Sequence, residues 1–176
     1  MQCPCCNSYS LEPIKLQYGL SARRCGNCLG VLIDLLAYRE WAEDYVSGDT
    51  KNTPILSHVE DNSKALLCPK CSKIMMKYRV DGSLDNKVDL CTACDEAWLD
   101  NGEWELLDAL ALQGKLNKIF TEPWQRHIRE ESAEKSFQKG FEEALGKDDY
   151  EKLSEIKNWI VDHPKQSDLI RFLLRS

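Results

Sequence analysis

Eight cysteines stand in four C-x-x-C pairs: Cys3/Cys6, Cys25/Cys28, Cys68/Cys71 and Cys91/Cys94. A C-x-x-C turn can aim two thiolates at one ion while its backbone amides offset their charge. Two such turns at the base of a short hairpin complete a tetrahedron, with metal–sulfur distances of roughly 2.3 Å for zinc. The gap from Cys6 to Cys25 holds 18 residues and the gap from Cys71 to Cys91 holds 19. The chain therefore carries two four-cysteine sites and takes two Zn2+ ions. Four thiolates close a tetrahedral site, whereas catalytic zinc keeps a position for water. The chemistry expected is structural and the chain is read as a non-enzyme. Iron is the rival metal, because rubredoxin knuckles also pair C-x-x-C. Those knuckles usually carry Gly after the second Cys, and here Asn7, Leu29, Ser72 and Asp95 stand there. Zinc is favoured.

The two sites form an internal repeat. Both first knuckles begin Cys-Pro (Cys3-Pro4, Cys68-Pro69), and both second knuckles lead into an apolar run ending in Asp, LGVLID to Asp34 and DEAWLD to Asp100. The repeat resolves the stretch CPCC: Cys68-Pro69-Lys70-Cys71 matches Cys3 with Cys6, and Cys5 is the spare. Cys5 is either a redox-sensitive thiol beside a metal site or a spare able to exchange with Cys6.

Hairpins are expected to fill the gaps. Ile74, Met76, Tyr78 and Val80 alternate with Met75, Lys77 and Arg79, and Asp81-Gly82 marks a turn before Val88–Leu90 returns. In the first copy Ile14, Leu16 and Tyr18 alternate with Lys15 and Gln17, Gly19 marks the turn, and Pro13 belongs at a strand start or on an edge. A ribbon this small buries little apolar surface. Metal binding, on the order of 10–16 kcal/mol for a structural zinc site, supplies the missing stability. Asp100 with Glu103 fits a D-x-x-E capping box, which predicts a helix directly after the knuckle. Trp98 then packs on the ribbon, with Leu106, Leu107 and Leu110 on the helix's inner face. Asp34 repeats the plan, with Leu35, Leu36, Trp41 and Tyr45 downstream.

CPKC, the gap, and C-x-x-C-x-x-A-W-L-D-x-x-E together resemble the bacterial transcription factor zinc-finger family, a TFIIB-type zinc ribbon, in two tandem copies. Residues 68 to about 107 match well. Residues 3 to about 45 match in cysteines and in Gly30-Val31-Leu32-Ile33-Asp34, then depart: Ala37 stands where Glu is usual and Leu32 replaces Trp. The resemblance implies a zinc ribbon with four cysteine ligands and implies little about function.

These elements give an α+β chain: ribbon one with its trailing helix over 1–45, a polar linker over 46–66, ribbon two with its helix over 67–110, and a helical C-terminal region over 111–176. His58, in the linker, reads as solvated. In the helical region Pro123 suits a first turn, and Phe137, Phe141, Ala144 and Leu145 share one face. Gly146 then Asp148 read as stop and new cap. Tyr150, Leu153, Ile156, Trp159 and Ile160 give the next face, Asp162-His163-Pro164 breaks it, and Leu169, Ile170, Phe172, Leu173 and Leu174 form a last apolar helix. A helical bundle with solvated faces is expected. The sharper alternative is that the last helix docks a partner or a second copy of the chain.

The formal charge is −6, and two four-thiolate zinc sites bring it to about −10. Acidic chains are poor generic ligands for phosphate backbones. Arg23-Arg24 with Lys15, near Tyr9 and Tyr18, could touch single-stranded nucleic acid. The plainer reading is that both arginines partly neutralise the metal-thiolate charge. No run approaches the roughly 18 apolar residues of a membrane span. The start holds no basic-then-apolar run and the cysteines are closely paired, so a cytoplasmic location is expected. The functional expectation is an adaptor recognising protein partners. Docking on the transcription machinery by protein contact fits the family name. A nucleic-acid-binding regulator using ribbon one is the alternative, and a thiol redox protein acting through Cys5 is a third.

Overall fold

The computed structural model describes residues 1–7, 10–45, 59 and 62–175. They form two compact units, Met1–Arg129 and Glu130–Ser176. The first unit is built on six strands: β1 (Leu11–Lys15), β2 (Ser21–Cys25), β3 (Val31–Asp34), β4 (Met76–Arg79), β5 (Lys87–Cys91) and β6 (Glu96–Leu99). They make one antiparallel sheet in the order β1-β2-β3-β6-β5-β4. The expected hairpins are β1–β2 and β4–β5. A third strand then follows each second knuckle, where a helix was expected at once. LGVLID and DEAWLD are short apolar runs, and their strands are buried on both faces.

The third strands join the ribbons. β3 pairs with β6 in the register Leu32↔Trp98. Leu32 stands four residues beyond Cys28 and Trp98 four beyond Cys94, so equivalent positions of the repeat face each other. A local two-fold axis therefore runs between them. The ribbons are halves of one sheet. Further ties cross the seam: Arg39 forks onto Asp95 at 2.6 and 3.0 Å, and the Leu35 amide donates to the Asp95 carbonyl at 2.9 Å.

Strand alternation sends Val31, Ile33, Val88, Leu90, Ala97 and Leu99 to one face. There they meet Leu35 and Tyr38 of α1 (Leu35–Asp44), Trp104 and Leu107 of α2 (Glu103–Ala109), and Leu116 and Ile119 of α3 (Leu116–Ile119). The Tyr38 hydroxyl donates to the Gln113 carbonyl at 2.6 Å and accepts from the Leu116 amide at 2.9 Å. The chain beyond 110 thus closes the sheet's core, and compactness divides the chain after Arg129 instead of at 110. The reason is area: the two short helices after the ribbons leave part of this apolar face to be covered. On the opposite face Leu11, Leu32, Leu66, Met75 and Trp98 pack with the cysteines, four of them buried.

Of the expected linker, 46–58, 60 and 61 lie outside the described residues, His58 among them. Its end is built into the sheet unit. The Asn62 amide donates to Asp100 Oδ2 at 2.9 Å, and Leu66 is buried.

The helix starts differ from expectation. Asp34 does cap α1, accepting from Leu36 and Ala37 N–H at 2.9 and 3.2 Å. In the second copy only half the capping box forms. Glu103 reaches back to the Asp100 amide at 2.8 Å, but the Asp100 carboxylate takes the Trp98 indole N–H at 2.9 Å instead of capping α2. Gly102, at φ 86°, holds the cap position. Burial alone would raise the Asp34 pKa, yet the Ala37 and Leu36 amides and Lys70 hold it below the usual value. A depressed carboxylate stabilises the fold above its unfolded pKa of about 3.9 and loses that contribution as pH falls through the folded value. Asp34→Ala is expected to lower stability at neutral pH by about 1 kcal/mol, as helix caps typically do. Urea unfolding at pH 7 and at pH 3 checks it, the difference between wild type and variant shrinking at pH 3.

Both sheet edges are guarded. Pro13 lies in edge strand β1 as expected and has no N–H to offer there, and the Leu11 amide donates to the Met1 carbonyl at 3.0 Å. On β4 the Gln125 side-chain amide accepts from Arg79 N–H at 3.2 Å and donates to its carbonyl at 2.8 Å, standing in for a neighbouring strand.

Helix α4 (Glu122–Leu145) begins in the first unit, with Pro123 in its first turn and Ile128 buried. The second unit contains the rest of α4, α5 (Lys147–Val161) and α6 (Gln166–Leu173). Gly146 at φ 80° sits at the cap of α5, while Asp148 lies in its first turn without capping. No described residue from Glu130 onward is buried, so the expected bundle has no closed core there.

Candidate metal centres

Each knuckle is one turn closed by a backbone hydrogen bond to the carbonyl of its first cysteine. The donors are Asn7, Leu29, Ser72 and Asp95, at 2.8 to 3.0 Å. All four donors are left-handed, with φ 56° to 60°. These are the positions where rubredoxin-type knuckles usually have Gly. The left-handed residue turns the chain so that both thiols of a pair face the same point.

Two groups result: Cys3, Cys6, Cys25 and Cys28, and Cys68, Cys71, Cys91 and Cys94. Within each, all sulfurs lie within 4.8 Å of one another. Cys3 and Cys28 are 3.4 Å apart, Cys6 and Cys25 3.5 Å, and Cys71 and Cys91 3.6 Å. A tetrahedron with metal–sulfur bonds near 2.3 Å has edges of roughly 3.8 Å. The spacing fits a shared ion and is far too long for disulfides, and all nine cysteines are free thiols. The two groups suit two zinc ions. The first cysteine of every pair is buried and the second half-buried.

Metal-free, four of these thiols resist ionisation. Burial pushes Cys3 up to about 11 and Cys28 further, and burial also raises Cys68. Cys94 is pushed to about 12, first by its hydrogen bond with Cys71 and then by burial. Cys71 goes the other way, to about 7, drawn down first by the Lys73 amide and then by the neighbouring thiol Cys94. Zinc therefore displaces protons on binding, and its hold strengthens as pH rises.

Around the sites the copies differ. Lys70 bridges the Glu96 and Asp34 carboxylates across the seam. Glu96 is buried, which raises its pKa, with Lys70 opposing the rise. Cys5 stands at the position equivalent to Lys70. It belongs to neither group, and its sulfur accepts from Asn62 Nδ2 at 3.3 Å. So Cys5 helps hold the segment that enters the second ribbon. Trp98 lies against Gly30, where a Cβ would come within 2.2 Å of the indole Cζ2. Sequence reasoning missed Lys70, Asn62, Glu96 and Gly30. Aligning CPCC with CPKC could have singled out Lys70, whereas Gly30 carries no local signal because its neighbour is 68 residues away.

Among the described residues the basic side chains of the first ribbon are interleaved with carboxylates. Arg23 is exposed and Arg24 half-buried. Arg23, Lys15 and Lys70 line a hollow of about 440 Å³ together with Asp34 and Glu96, so its charge is mixed. Tyr18 meets Tyr45 edge to face at 5.4 Å, and Tyr9 lies outside the described residues. No helix among the described residues is long and apolar enough to cross a membrane.

Residues 2–44 match the model of the TFIIB-type zinc ribbon family described as "Transcription factor zinc-finger". The match falls on the copy expected to depart from the family after Asp34. The departures at Leu32 and Ala37 leave the four ligands and their knuckles untouched. The second cluster, Cys68 to Cys94, repeats the arrangement and is consistent with a second copy. No curated protein and no solved structure matches the chain.

Proposed function

We propose that this double zinc-ribbon chain is a non-enzymatic adaptor whose second ribbon recognises a protein partner. The observation that carries the reading is an apolar patch on a rigid surface. Leu67, Ile74 and Met76 are 51, 68 and 58 % exposed. Leu67 and Ile74 are bridge partners, and Met76 follows Ile74 on the same side of the strand. The patch sits on the knuckle–strand segment that includes Cys68 and Cys71, so zinc would hold it in shape. Exposed Lys73 stands beside it. A partner offering an apolar surface with a carboxylate at its rim fits both features. Four thiolates per ion leave no position for water or substrate, which supports a scaffolding role for the metal.

The test is capture of the tagged full chain from its own cells, with and without nuclease, beside Ile74→Asp/Met76→Asp. The adaptor reading expects a defined protein that survives nuclease and is lost from the variant, while the variant still holds two zinc ions per chain. Recovery of RNA polymerase subunits would narrow the adaptor to the transcription machinery. If recovery collapses with nuclease and in Arg23→Ala/Arg24→Ala, the chain is a nucleic-acid-binding regulator.

A further inference from the structure

We propose that the second unit, Glu130–Ser176, pairs with the same unit of a second copy of the chain, the α6 helix of each lying on the α4–α5 segment of the other. This inference is independent of the patch on the second ribbon.

The unit leaves its apolar residues in water. Eleven large apolar side chains between 137 and 174 are more than 40 % exposed. On α4, Phe137, Phe141 and Leu145 form a stripe at spacings of four, and Phe137 and Phe141 are in ring contact at 4.7 Å. On α6 and its end, Phe172, Leu173 and Leu174 are 77, 62 and 79 % exposed. At roughly 100 Å² apiece for half-exposed side chains of this size, eleven of them reach the roughly 800 Å² per partner of a standard interface.

Charge says what covers them. From 142 to 157 the chain has six acidic residues against three lysines. Among the described residues Glu143, Asp149 and Glu151 have ion pairs, and Glu142, Asp148 and Glu155 have none. From 163 to 175 the balance reverses, with Lys165, Arg171 and Arg175 against Asp168 alone. Arg171 and Arg175 pair with no carboxylate among the described residues. The same unit therefore presents an acidic apolar surface and a basic apolar helix. Two copies related by a two-fold axis satisfy both at once, because each contact is then made twice. A single copy has α6 beside α5, with Trp159 against His163 of the intervening turn at 5.3 Å between ring centroids, and Phe172, Leu173 and Leu174 stay bare.

Sedimentation equilibrium of the zinc-loaded full chain tests the pairing. The expected mass is twice the 20.2 kDa of one chain. Arg171→Glu/Arg175→Glu is expected to weaken association at least tenfold. Adding Glu142→Lys/Asp148→Lys/Glu155→Lys to that variant is expected to restore it. Phe172→Asp/Leu173→Asp removes the apolar half of the contact and is expected to give monomer at unchanged zinc content. A monomer in the wild type up to about 100 μM overturns the proposal. So does a dimer that the reversed arginines leave unchanged, since some other surface then holds it. Neither result touches the Ile74/Met76 reading, whose variant retains this unit intact.

Discussion

Cys91→Ser is expected to do more than empty one metal site: bound zinc falls to one ion or less per chain, and the ion left in the first site becomes open to chelator. The first part follows from chemistry. Three thiols and a serine do not reproduce a four-thiolate tetrahedron, and a structural zinc site contributes on the order of 10–16 kcal/mol to its fold. That is comparable to the roughly 5–15 kcal/mol by which whole domains are stable. Cys91 is also the last residue of β5, and Asp95, which turns the same knuckle, receives Arg39 and the Leu35 amide from the first ribbon. Losing the second knuckle therefore removes β6 from β3 and uncovers Leu32 beside the first site. Zinc by atomic emission and a timed competition with a chromogenic chelator read both effects. Cys5→Ser is the control. It lies outside both clusters and is expected to keep two zinc ions per chain. Normal chelator resistance of the first site in Cys91→Ser would mean that the ribbons are energetically separate despite their shared sheet.

The seam predicts a second large effect. Trp98→Ala is expected to cost about 4 kcal/mol, in line with buried Trp and Phe truncations. Its ring is fully buried and its indole N–H is held by Asp100. Gly30→Ala is expected to cost about 3 kcal/mol, at the upper end for overpacking. The added methyl meets the indole at 2.2 Å, and the hydrogen bond to Asp100 keeps the ring from swinging away. The informative variant is the double one. Once Trp98 is Ala, Gly30→Ala has space and is expected to be nearly neutral, so the pair costs much less than the sum. Urea unfolding of the four chains gives the coupling. Additive costs would show that Gly30 matters for its backbone instead of its contact with Trp98.

Much of the metal chemistry was legible in the sequence, because thiol spacing is local. Four C-x-x-C pairs with similar gaps determine which sulfurs can meet, and CPKC singled out Cys5 by comparison. Pro13 pointed to an edge. The strand after each knuckle was not legible. LGVLID and DEAWLD are too short to show period two, and their strand character comes from pairing with each other across 66 residues of chain. The capping box forms only in half for a related reason. Asp100 is a good cap by type, but the Trp98 indole, two residues away, and the Asn62 amide compete for its carboxylate. The core helices beyond 110 were assigned to the C-terminal region because nothing local says that Leu116 and Ile119 fill the sheet's apolar face. In the second unit the spacing of Phe137, Phe141 and Leu145 predicts a stripe, and Phe137 and Phe141 are in ring contact. That they find no cover among the described residues is a property of three-dimensional packing, which periodicity does not report.

The axis between Leu32 and Trp98 has a consequence for how far the two ribbons can differ. Halves that meet through their own equivalent residues have the geometry of a symmetric homodimer joined end to end. In such a homodimer every substitution appears twice, and a tryptophan at this position would face another tryptophan. Fusion lifts that restriction. One half could enlarge to Trp98 while the other kept Leu32 at the axis and Gly30 under the indole, and one first knuckle could take Lys70 while its twin kept Cys5. Within one chain the two ribbons can differ at every equivalent position, although they share one sheet.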